Sequence, residues 1–285
     1  MQHTFKADKE CRLSELLRKR GVSRSLMCYL KQFEGAIQIN GVNAHTDYVL
    51  SPGDEAAINE PQETDSGIIK TPGLDVSILF EDREVTVFDK PPLMPCHPSI
   101  KHTDDTLANH YAYITGGAVF RCINRLDRDT SGCCLTAKSR YCASVIAASV
   151  KKTYYCICEG TPMSEGVIEV PIKRRGDSII ERICAPDGQY AKTSYRVLKS
   201  ANGYSLCEVS LETGRTHQIR VHFSHIGHPL AGDDMYGGSL EMISRQALHC
   251  GRLEFTTPDG EKGITVTSPL PGDMRKFACA EGLDF

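Results

Sequence analysis

The chain has 285 residues, of which 40% are hydrophobic and 24% charged, and its formal net charge is −3. This composition is that of an ordinary soluble globular protein, long enough for one large domain and one small one. No apolar run reaches the roughly 18 residues of a transmembrane helix, so we expect no membrane association.

The chain contains thirteen cysteines, and its first residues, Met1 to Lys6, lack the apolar core of a signal peptide. Both features predict reduced thiols and a cytoplasmic location. The cysteine spacings include no pair of Cys-x-x-Cys knuckles, which argues against a metal site. Most cysteines lie in apolar runs and are expected to be small core residues.

Residues 11 to 34 predict two helices, separated by Gly21 and with Ser23 as the N-cap of the second. The first helix carries the i, i+3, i+4 spacing of a buried stripe, namely Leu13, Leu16 and Leu17. Short strands follow, and Asn40-Gly41 predicts the hairpin turn between two of them.

The same segment concentrates positive charge. Residues 1 to 34 hold eight basic and four acidic residues, a local excess of +4 that leaves −7 for the remainder. Two basic helices followed by a small sheet with the turn sequence Ile-Asn-Gly-Val resemble the alpha-L RNA-binding domain. The resemblance implies that exposed basic side chains face RNA phosphates, and we assign this role to Arg18, Lys19, Arg20 and Arg24. A generic helix–hairpin module is the alternative interpretation.

Residues 61 to 73 are polar and rich in proline and glycine, and predict a linker between an N-terminal domain at 1–60 and a second domain at 74–285. The second domain opens with a hairpin at 76–80 and 85–88. Helices are expected at 104–115, from Ser139 onward, and after Arg215. Further strands are expected at 153–159, 177–184, 191–198 and 203–212. Strands outnumber helices and tight turns join many of them, so we predict an α+β fold with a largely antiparallel, mixed β-sheet.

The stretch from Asn124 to Gly132 places two carboxylates and two guanidiniums within five positions, directly before an apolar strand. A carboxylate on a tight connection entering the core needs an arginine or several donors to remain charged. Taken alone, this stretch is more typical of a surface turn with local salt bridges than of a catalytic loop.

Three segments together carry a second resemblance. Arg-Leu-Asp-Arg-Asp-Thr-Ser-Gly at 125–132, Lys-Thr-Tyr at 152–154 and Gly-Arg-Thr-His-Gln-Ile-Arg at 214–220 resemble the signature segments of the RluA-type RNA pseudouridine synthases of the ribosomal large-subunit type. The resemblance extends from about residue 74 to 280 and includes Asp-Lys-Pro-Pro at 89–92.

The resemblance implies specific roles. Asp127 matches the catalytic aspartate, Tyr154 the active-site tyrosine, and Arg215 the arginine that pairs with the aspartate. Arg125 matches the residue that enters the RNA stack when the target base leaves, and Ile219 matches apolar packing around the site. No cofactor is needed, because the isomerisation involves neither redox chemistry nor a group donor.

Several points stay open in the sequence. Asp129 is the nearest rival to Asp127. Asn124 stands where the family usually has His, and it cannot carry a proton charge. Four histidines fall within twelve positions, but without a carboxylate or cysteine partner at ligand spacing we predict no metal site; they are His217, His222, His225 and His228.

We therefore predict an enzyme that converts uridine to pseudouridine in structured RNA. Ribosomal RNA is favoured as the partner over transfer RNA, and a monomer is expected. A non-catalytic RNA-binding or ribosome-assembly factor on the same fold is the rival function, and a thiol- or metal-dependent hydrolase is a remote third.

Overall fold

A computed structural model of the protein describes residues 1–63, 65–258 and 263–284. Thr64 of the predicted linker and the final residue of the predicted second domain lie outside the described residues. The helices are Leu13–Lys19 (α1), Arg24–Leu30 (α2), Leu107–Ile114 (α3), Arg140–Ser149 (α4), Gln218–His225 (α5) and Gly272–Ala280 (α6). Within the described ranges, no helix combines the length and the apolar character that crossing a membrane requires.

The first strands build a small N-terminal sheet. They are Gln2–Lys6 (β1), Cys11–Arg12 (β2), Ile37–Ile39 (β3), Val42–Asn43 (β4), Val49–Leu50 (β5) and Glu55–Asn59 (β6). The antiparallel order is β1-β6-β3-β4, while β2 pairs with β5. The predicted buried stripe of α1 is confirmed, and the Ser23 hydroxyl caps α2 by accepting from the backbone N–H of Leu26 at 3.1 Å. Strand β1 was not predicted, because the predicted elements begin at residue 11.

The second part of the chain contains the remaining strands: Ser77–Glu81 (β7), Val85–Lys90 (β8), Arg121–Cys122 (β9), Ser131–Ala137 (β10), Lys151–Glu159 (β11), Glu165–Glu169 (β12), Ile172–Arg174 (β13), Arg182–Cys184 (β14), Lys192–Ala201 (β15), Tyr204–Leu211 (β16), Leu248–Thr256 (β17) and Gly263–Thr267 (β18). Ten of them form one sheet in the order β12-β15-β16-β11-β17-β10-β8-β7, with β18 on β17 and β9 on β10. Among the described residues the one parallel pair is β10 with β17. The predicted α+β fold with a largely antiparallel, mixed sheet is confirmed.

The local signals for helices and hairpins correspond well to the structure. β7 and β8 form the predicted hairpin, and α4 begins at the predicted cap, where the Ser139 hydroxyl accepts from the N–H of Cys142 at 3.0 Å. The strand expected over 177–184 is shorter: only β14 is extended, because Gly176 takes a positive φ of 50° and the N–H of Ser178 closes a turn on the carbonyl of Arg175.

The N-terminal part packs against α4 of the second part. Tyr141 is buried with the apolar side chains of the N-terminal part, and its hydroxyl donates to the carbonyl of Arg20 at 2.8 Å. The Glu60 carboxylate accepts from the backbone N–H groups of Arg140 and Tyr141 at 2.8 and 2.9 Å. A carboxylate at this position satisfies the free N–H groups that open a helix and complements its dipole.

Candidate active site

Residues from the three signature segments line one cavity of about 500 Å³. The loop before β10, the start of β11 and the loop leading into α5 all contribute to its wall. The sequence-predicted residues Arg125, Asp127, Tyr154 and Arg215 are all among the lining residues. Segments that are about 25 to 90 residues apart in the sequence therefore meet at one place, as the motif resemblance requires.

Asp127 lies where the loop turns into β10. Its carbonyl accepts from the N–H of Thr130 at 3.1 Å, which closes the turn. The carboxylate Oδ2 lies 3.5 Å from Nη1 of Arg220 and 3.9 Å from Nε2 of His217, and the Asp127 side chain is 29% exposed. The carboxylate is thus open to the cavity on one side and close to a fixed positive charge on the other.

Arg220 is held in place by Asp233. Its Nε and Nη2 donate to the two carboxylate oxygens at 2.6 and 2.7 Å, and the two side chains are only 7% and 1% exposed. The guanidinium carbon also lies 4.9 Å from the centre of the Tyr236 ring. Burial alone would lower the pKa of Arg220, but the hydrogen bonds and charge of Asp233, with a contribution from Asp127, raise it overall. This bidentate pairing fixes the direction in which Nη1 points.

The expected pairing of Arg215 with Asp127 is wrong, because Arg220 is the arginine that contacts this carboxylate. Arg215 is exposed at the mouth of the cavity, and its Nε donates to the carbonyl of Tyr190 at 2.9 Å. The reason is the start of α5: the N-cap His217 has a left-handed φ of 57°, and the helix begins at Gln218. Arg215 therefore stays in the preceding loop, while Arg220, at the third helical position, is buried.

The other residues of this segment fill structural roles. Ile219 is 3% exposed in the main apolar core, which confirms its expected packing role. The Gln218 side-chain oxygen accepts from the backbone N–H of Arg215 at 2.9 Å. His217 Nδ1 lies 2.8 Å from the Tyr236 hydroxyl, and burial lowers the pKa of its imidazole, which favours the neutral ring at pH 7.

Two further histidines of the segment have separate partners. His222 places Nδ1 2.9 Å from the Thr193 hydroxyl and Nε2 2.9 Å from the carbonyl of Val170. His228 Nδ1 lies 2.9 Å from the carbonyl of Glu159. These rings therefore fix the positions of neighbouring strands.

Asp129, the rival acid, has a different environment. Its carboxylate pairs with the neighbouring Arg128 at 2.8 Å, and it is not among the residues that line the cavity. The backbone carbonyl of Asp129 accepts from Nη1 of Arg245 at 2.9 Å. Asp127 is thus the acid of this loop that faces the cavity.

Asn124, the departure from the family pattern, replaces a peptide group in the sheet. Its Nδ2 donates to the carbonyl of Cys133 and its Oδ1 accepts from the N–H of Leu135, both at 2.8 Å. The side chain thereby continues the pairing of β9 with β10 by one further step. A neutral amide can make both bonds at once because it carries a donor and an acceptor.

Two further residues fix the Asp127 loop from behind. Lys90 is fully buried, and its ammonium donates to the carbonyls of Pro91, Met94 and Arg128 at 2.8, 2.7 and 3.0 Å. Gly132 has a φ of +108°, and a Cβ at this position would collide with the carbonyl of Cys250 in β17. Glycine is therefore required where the loop enters the parallel pair of strands.

Tyr154 is nearly buried in β11, at the point where the register with β17 shifts between Thr153 and Tyr154. Its side chain lines the cavity. Burial is the largest cause that raises the pKa of its hydroxyl well above the ordinary value. The hydroxyl therefore stays protonated at neutral pH, while the ring presents an apolar face.

A basic groove joins the cavity at its mouth. Arg125, Gly214, Arg215 and Thr216 line both, and three further cations line the groove alone: Lys173, Arg174 and Arg182. Asp187 is the acidic lining residue, and it pairs with Lys173 at 2.7 Å. This concentration of positive charge is suited to a polyanion.

Comparisons with known proteins identify relatives of this chain. Residues 84–225 match the model of the RNA pseudouridylate synthase family. The chain is 39% identical over 271 residues to an uncharacterised RNA pseudouridine synthase, YjbO, of Bacillus subtilis, covering 92% of this chain and 96% of that protein. It is 34% identical over 264 residues to ribosomal large subunit pseudouridine synthase D of Pseudomonas aeruginosa, covering 85% and 82% of the two chains.

Solved structures show the same fold. The human RNA pseudouridylate synthase domain containing 1 superposes with a TM-score of 0.59 and 26% identity, covering 70% of this chain and 85% of that one. The signature residues that this chain brings together in one cavity are thus embedded in a sequence and a fold shared with these enzymes. The chain belongs to the RNA pseudouridine synthase family, as its motifs indicated, and is an isomerase that acts on RNA.

Proposed function

We propose that this enzyme isomerises specific uridines in structured ribosomal RNA by flipping the base into the cavity, with Asp127 as the catalytic carboxylate. The observation that carries the proposal is the common cavity of Asp127, Tyr154 and Arg220, with the exposed Arg125 and the basic groove at its mouth. This arrangement provides a place for the extruded base and a path for the adjoining phosphates.

The reaction needs one bond broken and one formed. The bond between ribose C1′ and uracil N1 breaks, the ring turns, and a new bond joins C1′ to C5; the proton on C5 leaves and N1 gains one. Asp127 serves either as nucleophile or as the stabilising charge, and both routes need its ionised form. Arg220, 3.5 Å away and fixed by Asp233, supports that form as the site loses water on closing.

Tyr154 has two tasks in this proposal. Its ring offers a flat apolar surface on which the uracil can stack. Its hydroxyl, kept protonated by the raised pKa, is a hydrogen-bond donor close to the reacting base. Because Tyr154 lies in a strand of the central sheet, the ring remains in place while the base turns over it.

Arg125 is proposed to fill the gap that the flipped base leaves. Removing a base from its stack costs a few kcal/mol. A planar guanidinium can stack in the vacated space, and Arg125 is exposed at the mouth of the cavity. The neighbouring groove, with Lys173, Arg174 and Arg182, is placed to hold the flanking phosphates.

Ribosomal RNA is proposed as the substrate for two reasons. Relatives named as ribosomal large subunit enzymes match most of the chain. The N-terminal part, proposed as an alpha-L RNA-binding domain over residues 1–60, exposes Arg18, Lys19 and Arg24 on its two helices and Arg20 directly after the first. Exposed cations on a second surface allow the enzyme to read RNA shape outside the cavity. We further propose that the enzyme acts as a monomer.

Tritium release from RNA labelled at C5 of uracil tests the activity. We expect release with the wild-type enzyme and a loss of at least about 10³-fold with Asp127→Asn, because the amide cannot provide the carboxylate charge. Asp129→Asn is the matched control and should keep most of the activity. Equal losses in the two variants would contradict the assignment of Asp127.

The substrate is tested separately by mapping pseudouridine in RNA from a strain that lacks the gene. We expect one or a few uridines of large-subunit ribosomal RNA to lose the modification and to regain it with the wild-type gene but not with Asp127→Asn. Loss confined to transfer RNA would overturn the ribosomal assignment and leave the chemistry intact.

A further inference from the structure

Behind the Asp127 loop lies a cluster of three thiols that the proposed reaction does not use. Cys96 precedes α3, Cys122 ends β9 and Cys134 lies in the middle of β10. The Cys122–Cys134 sulfur atoms are 3.5 Å apart and the Cys96–Cys134 sulfur atoms 3.9 Å apart, and all three lie within 4.8 Å of one another. We propose that this cluster, the three-thiol site, binds a thiophilic divalent cation of the Zn²⁺ type.

The sulfur spacing is suited to such an ion. A zinc–thiolate bond is about 2.3 Å, so the sulfur atoms of a tetrahedral site are separated by about 3.8 Å. The Cys122–Cys134 and Cys96–Cys134 sulfur distances, 3.5 and 3.9 Å, lie on either side of this value, so the side chains need to move little to bind an ion. Three sulfur atoms form one face of a tetrahedron, and the fourth position is left to water or to a group from the cavity.

The charges around the cluster also favour the complex. Burying a net charge is expensive, so a buried metal site is most favourable when its surroundings sum to zero. Three thiolates and one divalent cation carry −1. The ammonium of Lys90 is buried, interacts electrostatically with Cys96 and Cys134, and supplies the compensating +1. The protons of the thiols leave to solvent as the ion binds.

An ion can reach the cluster from the cavity. Cys96 and Cys122 line the cavity wall, whereas Cys134 is fully buried behind them. No sequence motif indicates this site, because Cys134 is 12 residues from Cys122 and 38 from Cys96, far from the short spacing of metal knuckles. The pairing of β9 with β10 brings Cys122 and Cys134 together. Cys96 approaches Cys134 from the segment before α3.

Occupancy of the three-thiol site would act on the Asp127 loop through Leu126. The Cys96 sulfur accepts from the N–H of Leu126 and donates to its carbonyl, both at 3.4 Å. A metal-bound thiolate has no proton to donate, so the carbonyl of Leu126 loses its partner, and this residue lies between Arg125 and Asp127. We infer that the bound ion slows the isomerisation, an effect that rests on the proposed function of this loop.

Cadmium provides a direct readout, because its thiolate complexes absorb in the ultraviolet in proportion to the number of sulfur ligands. Titration of the reduced full chain with Cd²⁺ should saturate at one ion with three thiolates, and Zn²⁺ should displace it. Cys122→Ala should lower the absorption by about a third and the affinity at least about tenfold. Cys207→Ala is the matched control, since its sulfur lies 3.9 Å from that of Cys158 in a separate pair, and it should change neither value.

The half-buried Cys122 is chosen because its replacement disturbs the core least; Cys96→Ser, checked by thermal unfolding, is the second variant. Unchanged absorption in both variants would overturn the site. A loss of two free thiols without metal binding would indicate a disulfide and would also overturn it. Reversible inhibition of tritium release by Zn²⁺, lost in Cys122→Ala, would support the effect on the loop. If the metal-free enzyme released no tritium but still bound Cd²⁺ through three thiolates, the proposed function would be refuted and the three-thiol site would stand.

Discussion

The inner and outer residues of the cavity hold their charges in different ways. The inner group, Asp127, Tyr154 and Arg220, is half-buried or buried, and Arg220 is already paired with Asp233. The outer group is exposed to solvent at the mouth and in the adjoining groove, namely Arg125, Arg174 and Arg215. Buried charges with fixed partners are preorganised and reorient little during a reaction. Exposed arginines can instead exchange water for phosphate, so the inner group should control kcat and the outer group RNA affinity.

After Asp127→Asn, the largest effect is expected from Tyr154→Phe, which removes the one polar atom of an inner side chain and keeps its ring. We expect kcat to fall by about 10² to 10³-fold, the range for loss of one positioned hydrogen-bond donor. RNA affinity should be nearly unchanged, because the stacking surface remains. Tritium release under single-turnover conditions measures the effect.

Tyr155→Phe is the matched control for that experiment. Tyr155 is the next residue of β11, so its side chain points to the other face of the sheet, and it does not line the cavity. Its variant should retain nearly full activity. If Tyr154→Phe were as active as this control, the hydroxyl would have no role and the ring alone would explain the presence of a tyrosine.

Asp233→Asn tests whether the inner group depends on a buried partner. The amide leaves the Arg220 guanidinium buried with less compensation, and breaking a buried ion pair in this way destabilises a protein by about 3–5 kcal/mol. Denaturant unfolding should show this loss, and tritium release should fall as well because Arg220 is no longer held against Asp127. Asp234→Asn, at the neighbouring exposed position, should change the free energy of unfolding by less than about 0.5 kcal/mol.

The comparison of Arg220 with Arg215 shows where sequence reasoning ends. The motif at 214–220 led to Arg215 as the partner of Asp127, whereas Arg220 of the same motif contacts this carboxylate. Side-chain direction depends on the left-handed conformation of His217 and on the first residue of α5, and neither follows from residue type. Asp233, 13 residues beyond Arg220, has no local signal that links it to the guanidinium.

The same limit separates the parts of the fold that were predicted from those that were not. Caps such as Ser23 and Ser139, and the hairpin of β7 and β8, depend on neighbours within a few residues and were predicted. The sequence did not predict that strand β17 lies in the centre of the sheet. It pairs with β10 and β11, about 100 residues earlier in the chain, and such non-local pairing leaves no periodic trace that identifies the partner.

Asn124 supports the inner group without a charge, and its variants should have an intermediate effect. Asn124→Ala leaves the carbonyl of Cys133 and the N–H of Leu135 without their side-chain partner, at about 1–3 kcal/mol for each buried group. We therefore expect a loss of about 2–6 kcal/mol in the free energy of unfolding, measured with urea.

Asn124→His introduces the family's usual residue and tests whether it can replace both hydrogen bonds of the amide. A neutral imidazole has one donor and one acceptor on a rigid ring whose spacing differs from that of an amide, so we expect one of the two bonds to form and about half of the loss. Asn43→Ala, at an exposed position of β4, should be nearly neutral. Full stability of Asn124→His would show that this position accepts either residue and that the paired amide bonds are not required.

The smallest effect is expected from Arg215→Ala, and it tests the division between the inner and outer groups most sharply. If Arg215 belongs to the outer group, the variant should bind RNA several-fold more weakly, with kcat almost unchanged. The dependence of log Kd on log salt should lose about one unit of slope, as for a single phosphate contact.

Arg275→Ala, an exposed arginine of α6 outside both the cavity and the groove, is the control and should change neither quantity. A fall in kcat comparable to that of Tyr154→Phe, at unchanged salt dependence, would instead place Arg215 among the catalytic residues. In that case the guanidinium, which is bonded to the carbonyl of Tyr190 here, would have to turn toward Asp127 when RNA binds.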